Sequence, residues 1–237
     1  PISGLIDSGK GSKNAIAEAL TNIVFAPLEK GIHSISLSAN WMWPCNNPGE
    51  DTRLYEAVEE CSKFAIDLGI NIPTGKDSLS MKQKYSNYDV LSPGTVIISA
   101  AGQCSDVKNI IKPVATAMGG EIFYVDFSQD EFYLGGSSFA QSQECIGNDT
   151  PGVTDADYFK RAFNTVQDHI KAGKISAGHD IGSGGLITSL LEFCFPSLNI
   201  GMDLDFSCLE ETDLVKILFS EKVGLILQSN FDLNSSF

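Results

Sequence analysis

Three clusters of polar residues in this chain have the types and spacing to do chemistry. The stretch Gly178 to Leu191 reads GHDIGSGGLITSLL and sets His179 and Asp180 beside a glycine-rich turn that opens an apolar run. A helix start has free backbone N–H groups and a partial positive charge, and glycines let another group approach them closely, which suits a phosphate. Asp180 would repel that phosphate unless a cation stood between them. The second cluster, in EALTN, is Glu18 with Asn22. They lie four apart, so on a helix they project together, flanked by the small Ala15 and Ala19, and can share a hard cation such as Mg²⁺. The third is GKDS, with Gly75, Lys76 and Ser78, where a glycine, an ammonium group, a carboxylate and a hydroxyl can bind a phosphate and its metal together. GKDS is not a Walker A loop, because GxxxxGK[ST] is absent.

Each cluster also has a plainer reading on its residues alone. Asp180 can cap a strand-to-helix turn, Glu18 and Asn22 can belong to a solvated helix face, and GKDS uses the residue types of any exposed turn. His179 has no acid or base partner fixed by sequence, and a histidine so placed is more often a hydrogen-bonded structural residue than an acid or base. No cysteine has a histidine positioned beside it, which argues against a cysteine nucleophile.

The elements that must position these clusters follow from periodicity. After the entry SGKGSKN, a helix runs through AIAEALTNIVF to about Phe25, with Ile16, Leu20 and Ile23 on one face. HSISLSANWMW alternates as a strand from about His33. Leu54, Val58, Cys61, Phe64 and Ala65 mark a long amphipathic helix ending near Gly69. INIP is a short strand feeding the loop TGKDSLSM, and GTVIISAAG reads as a buried strand because its apolar run is continuous. The texture changes around SDVKNIIKPVATAMGG, which divides the chain into units 1–115 and 116–237. The second unit opens with the strand EIFYVDF and the glycine turn LGGSSFA. A helix striped by Phe159, Phe163, Val166 and Ile170 follows, then one carrying Leu186, Leu190, Leu191 and Cys194. MDLDF and VGLILQS read as strands around a helix with Leu214, Ile217 and Leu218. The class is α/β or α+β.

At 237 residues, with 43% hydrophobic and 19% charged residues, the chain can bury real cores. Its net charge of -14, without a Lys/Arg run, speaks against nucleic acid and anionic membranes as partners. No apolar run reaches the roughly 20 residues of a membrane helix, and no leader opens the chain, so the expected location is cytoplasmic. The six cysteines are scattered and expected to be thiols. Opening at Pro1 and stopping in FDLNSSF, the chain reads as an excised piece of something longer.

Taken together and in order, AEALTNI, SLSANWMWP, NPGEDTRLYEAV, NIPTGKDSLSM, PGTVIISAAG, LGGSSFAQS and AGHDIGSGGL resemble the synthetase region of the large single-chain phosphoribosylformylglycinamidine synthases of purine biosynthesis. The resemblance runs through nearly the whole chain. It implies an ATP-dependent ligase. ATP activates the amide oxygen of formylglycinamide ribonucleotide, and ammonia, released from glutamine by a separate glutaminase domain, displaces the phosphate. It also implies two related halves, each similar to aminoimidazole ribonucleotide synthetase, of which this chain is most of the second. Glu18, Asn22 and Asp180 then hold Mg²⁺ beside ATP or ADP, at a site that in the large enzymes resembles an auxiliary one. Gly75, Lys76 and Ser78 contact ATP or substrate, and Gly182 and Ser183 contact the nucleotide. The family commonly has HDxS, whereas Gly182 stands here in the serine place. No complete catalytic set is expected in these residues. The implied partners are the first synthetase half and the glutaminase domain, and the piece alone is expected to self-associate as a dimer.

Overall fold

The computed structural model describes residues 2–117, 120–197 and 199–237. In chain order the elements are α1 (Ser3–Ile6), α2 (Ser8–Ile23), β1 (Ile35–Met42), α3 (Glu50–Leu68), β2 (Asn71–Ser78), β3 (Lys82–Lys84), β4 (Asp89–Leu91), β5 (Thr95–Gly102), β6 (Glu121–Asp126), α4 (Ser138–Ser142), α5 (Ala156–Lys171), β7 (Ala177–Asp180), α6 (Gly185–Cys194), α7 (Leu214–Phe219) and β8 (Gly224–Ser229). One sheet has the order β2-β1-β5, with β1 parallel to β2 and antiparallel to β5. A second has the order β6-β8-β7, antiparallel throughout, and β3 and β4 form a two-stranded antiparallel ribbon. The mixed α/β class read from the sequence is what forms.

Helix α2 begins at Ser8, one turn and more before the expected start, and absorbs the whole GKGSKN stretch. Asp7 caps it, its carboxylate accepting the Lys10 N–H at 2.7 Å. The glycines that read as an entry loop are instead packing residues. A Cβ on Gly11 would stand 2.6 Å from the Gly4 backbone. The helix ends at Ile23. Helix α3 stops where the sequence placed its end, at a left-handed Gly69.

GTVIISAAG is not a buried strand. On β5, Ile97, Ser99 and Ala101 are exposed while Val96, Ile98 and Ala100 are partly covered, because helices pack on one face of the first sheet only. A continuous apolar run cannot by itself distinguish a two-sided from a one-sided environment. GKDS is likewise not a loop. Strand β2 continues through it, pairing Gly75, Lys76, Asp77 and Ser78 with Ala39, Asn40, Trp41 and Met42 of β1. Gly75 makes this pairing fit, since a side chain there would collide with the Ala39 carbonyl oxygen. MDLDF is no strand either. Met202, Leu204 and Phe206 turn inward against the second core while Asp203 and Asp205 face out, so the alternation is that of an extended segment that joins no sheet among the described residues. On α3, Val58 of the expected stripe is exposed, and Ala57 and Leu68 take the buried positions.

The main core crosses residue 115. It joins Ile16 and Leu20 of α2, Phe64 of α3 and Leu37 of β1 to Phe159, Phe163 and Val166 of α5 and Leu225 and Leu227 of β8. Phe159 meets Phe64 and Phe127 edge-on, with ring centroids 5.7 and 4.9 Å away. Burying each such ring stabilises the packing by about 2–3 kcal/mol. A smaller core lies on the other face of β8, where Ile226 packs with Leu186, Leu190, Phe193 and Ile217. Strand β8 is therefore buried on both faces. Polar bonds fix the junction between the units. Gln167 on α5 donates through Nε2 to the carbonyls of Val24 (2.5 Å) and Ala26 (2.9 Å) and accepts the Leu28 N–H at 2.7 Å. Lys10 reaches Asp130 at 2.9 Å, and Asn14 donates to the Pro151 carbonyl at 2.8 Å.

Candidate functional site

Helix α2 runs along a cavity of about 790 Å³ whose other walls are β5, the 110–113 segment and the end of β7. The volume lies within the range of small-molecule sites. Glu18, Asn22 and Asp180 all line it, although the last is more than 150 residues from the others. Spacing sets the first two. Asn14, Glu18 and Asn22 stand at i, i+4 and i+8, one row along the helix. Asp180 arrives at the C-terminal end of β7, with its main-chain carbonyl held by Ser189 Oγ (2.9 Å) and by His179 Nδ1 (2.6 Å). A carbonyl only accepts, so His179 carries its proton on Nδ1. Its Nε2 lies 3.5 Å from Glu192. His179 thus acts in fixing the strand exit, the plainer of the two readings its sequence position allowed.

Among the described residues neither Glu18 nor Asn22 has a side-chain hydrogen bond, and Glu18 has no ion pair. Glu18 is an exposed residue whose carboxyl opens onto the cavity. Partial desolvation by the surrounding walls, opposed by the positive N-terminus of the chain and supported by the carboxylates of Asp180 and Glu221, holds it above the usual carboxylate range. Asn14, which the sequence reading missed, also lines the cavity. Its amide is oriented by the bond to Pro151, leaving Oδ1 buried without a partner among the described residues. The signal for it was present in the i, i+4, i+8 row. Trp43, at another wall of the cavity, has a buried indole N–H also without a partner among the described residues.

Two carboxylates and amide oxygens around one space form a hard-oxygen donor set, the kind that Mg²⁺ takes together with waters and phosphate oxygens. The unpaired, raised Glu18 fits such a group, because an added cation would remove the electrostatic cost of its charge. Among the described residues no cluster of three or more His, Cys, Asp or Glu makes an all-protein metal site. A cation here would need ligand oxygens to complete its shell.

A smaller cavity of about 330 Å³ adjoins Glu18 and Asn14 on the side of the second unit. Gly182 and Ser183 line it, facing the LGGSS turn and Glu221. The turn needs its later glycines. Gly185 is left-handed (φ +74°), and a side chain there would press on the Leu218 carbonyl. Gly75 and Lys76 line a different cavity, of about 440 Å³, between β2 and α3. Lys76 Nζ lies 3.3 Å from Ser78 Oγ. By register both stand with Asn40 and Met42 on the more exposed face of the first sheet. Glu18, Asn22, Asp180, Gly182 and Ser183 thus cluster around adjoining spaces, whereas Gly75, Lys76 and Ser78 do not join them.

Residues 1–103 match the model of the FGAR-AT PurM_N-like domain, and residues 133–228 match the AIR synthase related protein, C-terminal domain. Over 230 residues, 96% of the chain, it is 39% identical to a probable phosphoribosylformylglycinamidine synthase, chloroplastic/mitochondrial, of Arabidopsis thaliana. Over the same share it is 35% identical to the phosphoribosylformylglycinamidine synthase of Homo sapiens. The chain belongs to the phosphoribosylformylglycinamidine synthase family. It spans about one sixth of the length of these relatives, 16% and 17%. Among solved structures, T. maritima PurL complexed with FGAR matches 96% of this chain and 36% of its own, with a TM-score of 0.63 at 16% identity. T. maritima PurL complexed with ATP matches 99% and 35%, with a TM-score of 0.62 at 14% identity. These likenesses establish that the synthase-family chain has the aminoimidazole ribonucleotide synthetase-like fold. No helix among the described residues is long and apolar enough to cross a membrane.

Proposed function

We propose that this chain is a nucleotide- and Mg²⁺-binding part of an ATP-dependent C–N ligase that converts formylglycinamide ribonucleotide and glutamine to the amidine in de novo purine biosynthesis. The observation that carries this reading is the meeting of Glu18, Asn22 and Asp180 on one cavity, with no Lys, Arg or His ion pair to Glu18 among the described residues. In this reading Glu18 and Asp180 supply anionic oxygens, Asn22 orients through its amide oxygen, and Gly182 and Ser183 face the phosphates. Bound Mg²⁺ supplies the positive charge that lets phosphate oxygens approach two carboxylates. The solved relatives with bound ATP and FGAR support the ligand classes. Gly75, Lys76 and Ser78 serve ATP or substrate on β2, Lys76 and Ser78 from the more exposed face of the sheet, together with the first synthetase half. The remaining partner is the glutaminase region, the location is cytoplasmic, and the units are 1–115 and 116–237.

A second reading is favoured by where the cavity lies. Its walls come from α2 in the first unit and β7 in the second, so a nucleotide there would tie the units together and act as a scaffold away from Lys76. The experiment compares Asp180→Asn with Lys76→Met in the full-length protein that carries this chain. Loss of one bound nucleotide and of thermal stability in Asp180→Asn, with rate loss at unchanged stability in Lys76→Met, assigns scaffold and turnover to the two sites respectively. Nucleotide content unaffected by Asp180→Asn would refute the assignment of the cavity.

A further inference from the structure

Glu221 lies between the two glycine turns of the second unit. Its Oε1 accepts the Gly184 N–H at 2.7 Å and the Ser138 N–H at 2.8 Å, bonds from turns 46 positions apart in the sequence. Backbone N–H groups in glycine turns and at a helix start are the groups that would otherwise receive a phosphate oxygen. Here a side-chain carboxylate holds them. Among the described residues no cation pairs with Glu221. The adjacent Lys222 is engaged elsewhere, with Asp126 at 2.9 Å and over the Phe132 ring at 4.1 Å. Glu221 lines the smaller cavity together with Glu18, Gly182 and Ser183.

From this geometry we propose that Glu221 is a specificity-determining residue that makes nucleotide binding conditional on a divalent cation. The proposal rests on the reading of the Glu18, Asn22 and Asp180 cavity as a nucleotide site. A phosphate entering beside Ser183 meets an anion where a free pair of N–H donors would stand, and like charges at contact distance oppose binding strongly in a partly desolvated space. A phosphate already carrying a divalent cation presents little net charge to Glu221 and is not rejected. The same carboxylate positions both turns, so its charge and its acceptor role must be separated experimentally.

Glu221→Gln keeps an oxygen acceptor for both N–H groups and removes the charge, whereas Glu221→Ala removes both. The measurement is the dissociation constant of ADP, with EDTA and with Mg²⁺, in the full-length protein, counting the binding equivalent that Asp180→Asn abolishes. Glu221→Gln should tighten metal-free ADP about fivefold and change Mg-ADP by less than twofold, lowering the discrimination between them. Glu221→Ala should weaken Mg-ADP. An unchanged discrimination ratio in a normally folded Glu221→Gln protein overturns the proposal. Wild-type protein gives a test that needs no variant. Metal-free ADP should bind more tightly as ionic strength rises, since screening relieves repulsion, and the opposite trend overturns the proposal. If Asp180→Asn abolishes no binding equivalent, the cavity reading itself fails, an outcome distinct from an unchanged ratio at an intact site.

Discussion

Two stretches of α2 face the second unit and treat their polar groups in opposite ways. At the N-terminal stretch, Lys10 reaches Asp130 and the Thr150 carbonyl, and Asn14 donates to Pro151. One and two turns on, Glu18 and Asn22 have no side-chain partner among the described residues, and Glu18 faces other carboxylates. The junction satisfies its groups and holds the units together. The cavity leaves its oxygens unpaired and holds strain that a cation could relieve. Asn14 lies where the two meet, with its amide nitrogen paired and its Oδ1 buried without a partner among the described residues. Stability and ligand chemistry are therefore divided along one helix, and the division can be tested.

The largest effect is expected where satisfaction is most complete. Gln167 is 1% exposed and makes three bonds to the chain after α2. Gln167→Ala leaves the Leu28 N–H and the Val24 and Ala26 carbonyls without it, and should cost about 3 kcal/mol in chemical denaturation. A loss under about 1 kcal/mol would mean that water replaces the side chain and that the junction is less dry than its burial implies.

Asp130→Asn is expected to cost less, about 1 kcal/mol at neutral pH, because Lys10 remains about a third exposed. Burial alone would raise the Asp130 carboxyl, but the Lys10 ammonium and the N–H groups of Glu131 and Gly152 outweigh it and hold it below the usual range. A depressed folded value gives stability that is present above the ordinary aspartate range and lost as pH falls through the folded value. The melting curves of Asp130→Asn and wild type should thus converge on acidification.

Glu18 carries the opposite sign. Its folded value is raised, so its contribution is favourable at low pH and is lost as pH rises through that value. Without ligand at neutral pH, Glu18→Gln should raise the melting temperature only slightly, by about 1 °C because solvent screens the exposed carboxylate, with the gain vanishing toward acid. Saturating Mg-ADP should reverse the order, since only wild type keeps the full oxygen set. A melting temperature lowered by Glu18→Gln in the absence of ligand would place Glu18 with the junction rather than the cavity.

Helix α5 of the second unit was legible because it has one wet and one dry face, whereas Leu191 and Leu214 of the later helices are exposed. Phe159, Phe163, Val166 and Ile170 are all buried as their spacing requires. Glu18, Asn22 and Asp180 were legible as candidates through residue type, and the fold brings them to one cavity. What could not be read were contacts made across the chain. Gly9 and Gly11 look like a loop until Glu60 and Gly4 pack on them. GKDS looks like a turn until β1 supplies its hydrogen bonds. Glu221 sits in an ordinary FSEKVG run, and only the meeting of two distant turns gives its carboxylate a role.

The smallest expected effect belongs to Gly182, where the resemblance implies a serine. Its neighbours Gly184 and Gly185 are left-handed, but Gly182 is not, and a Cβ built on it meets no atom within 4 Å. Neither backbone conformation nor space requires glycine there. Gly182→Ser should therefore change stability by no more than about 0.5 kcal/mol. The loss of unfolded-state freedom at that position works in the stabilising direction. The new hydroxyl would stand in the cavity that Glu18 and Ser183 line, able to donate to a phosphate oxygen. Mg-ADP retention should rise modestly, by about two- to fivefold, the worth of one exposed hydrogen bond. If retention is unchanged while stability is also unchanged, Ser183 already fills that role and the phosphate path lies one residue further along the turn. If stability falls sharply, the space beside Gly182 is needed by the fold, and the contrast between a paired junction and an open cavity does not extend to this turn.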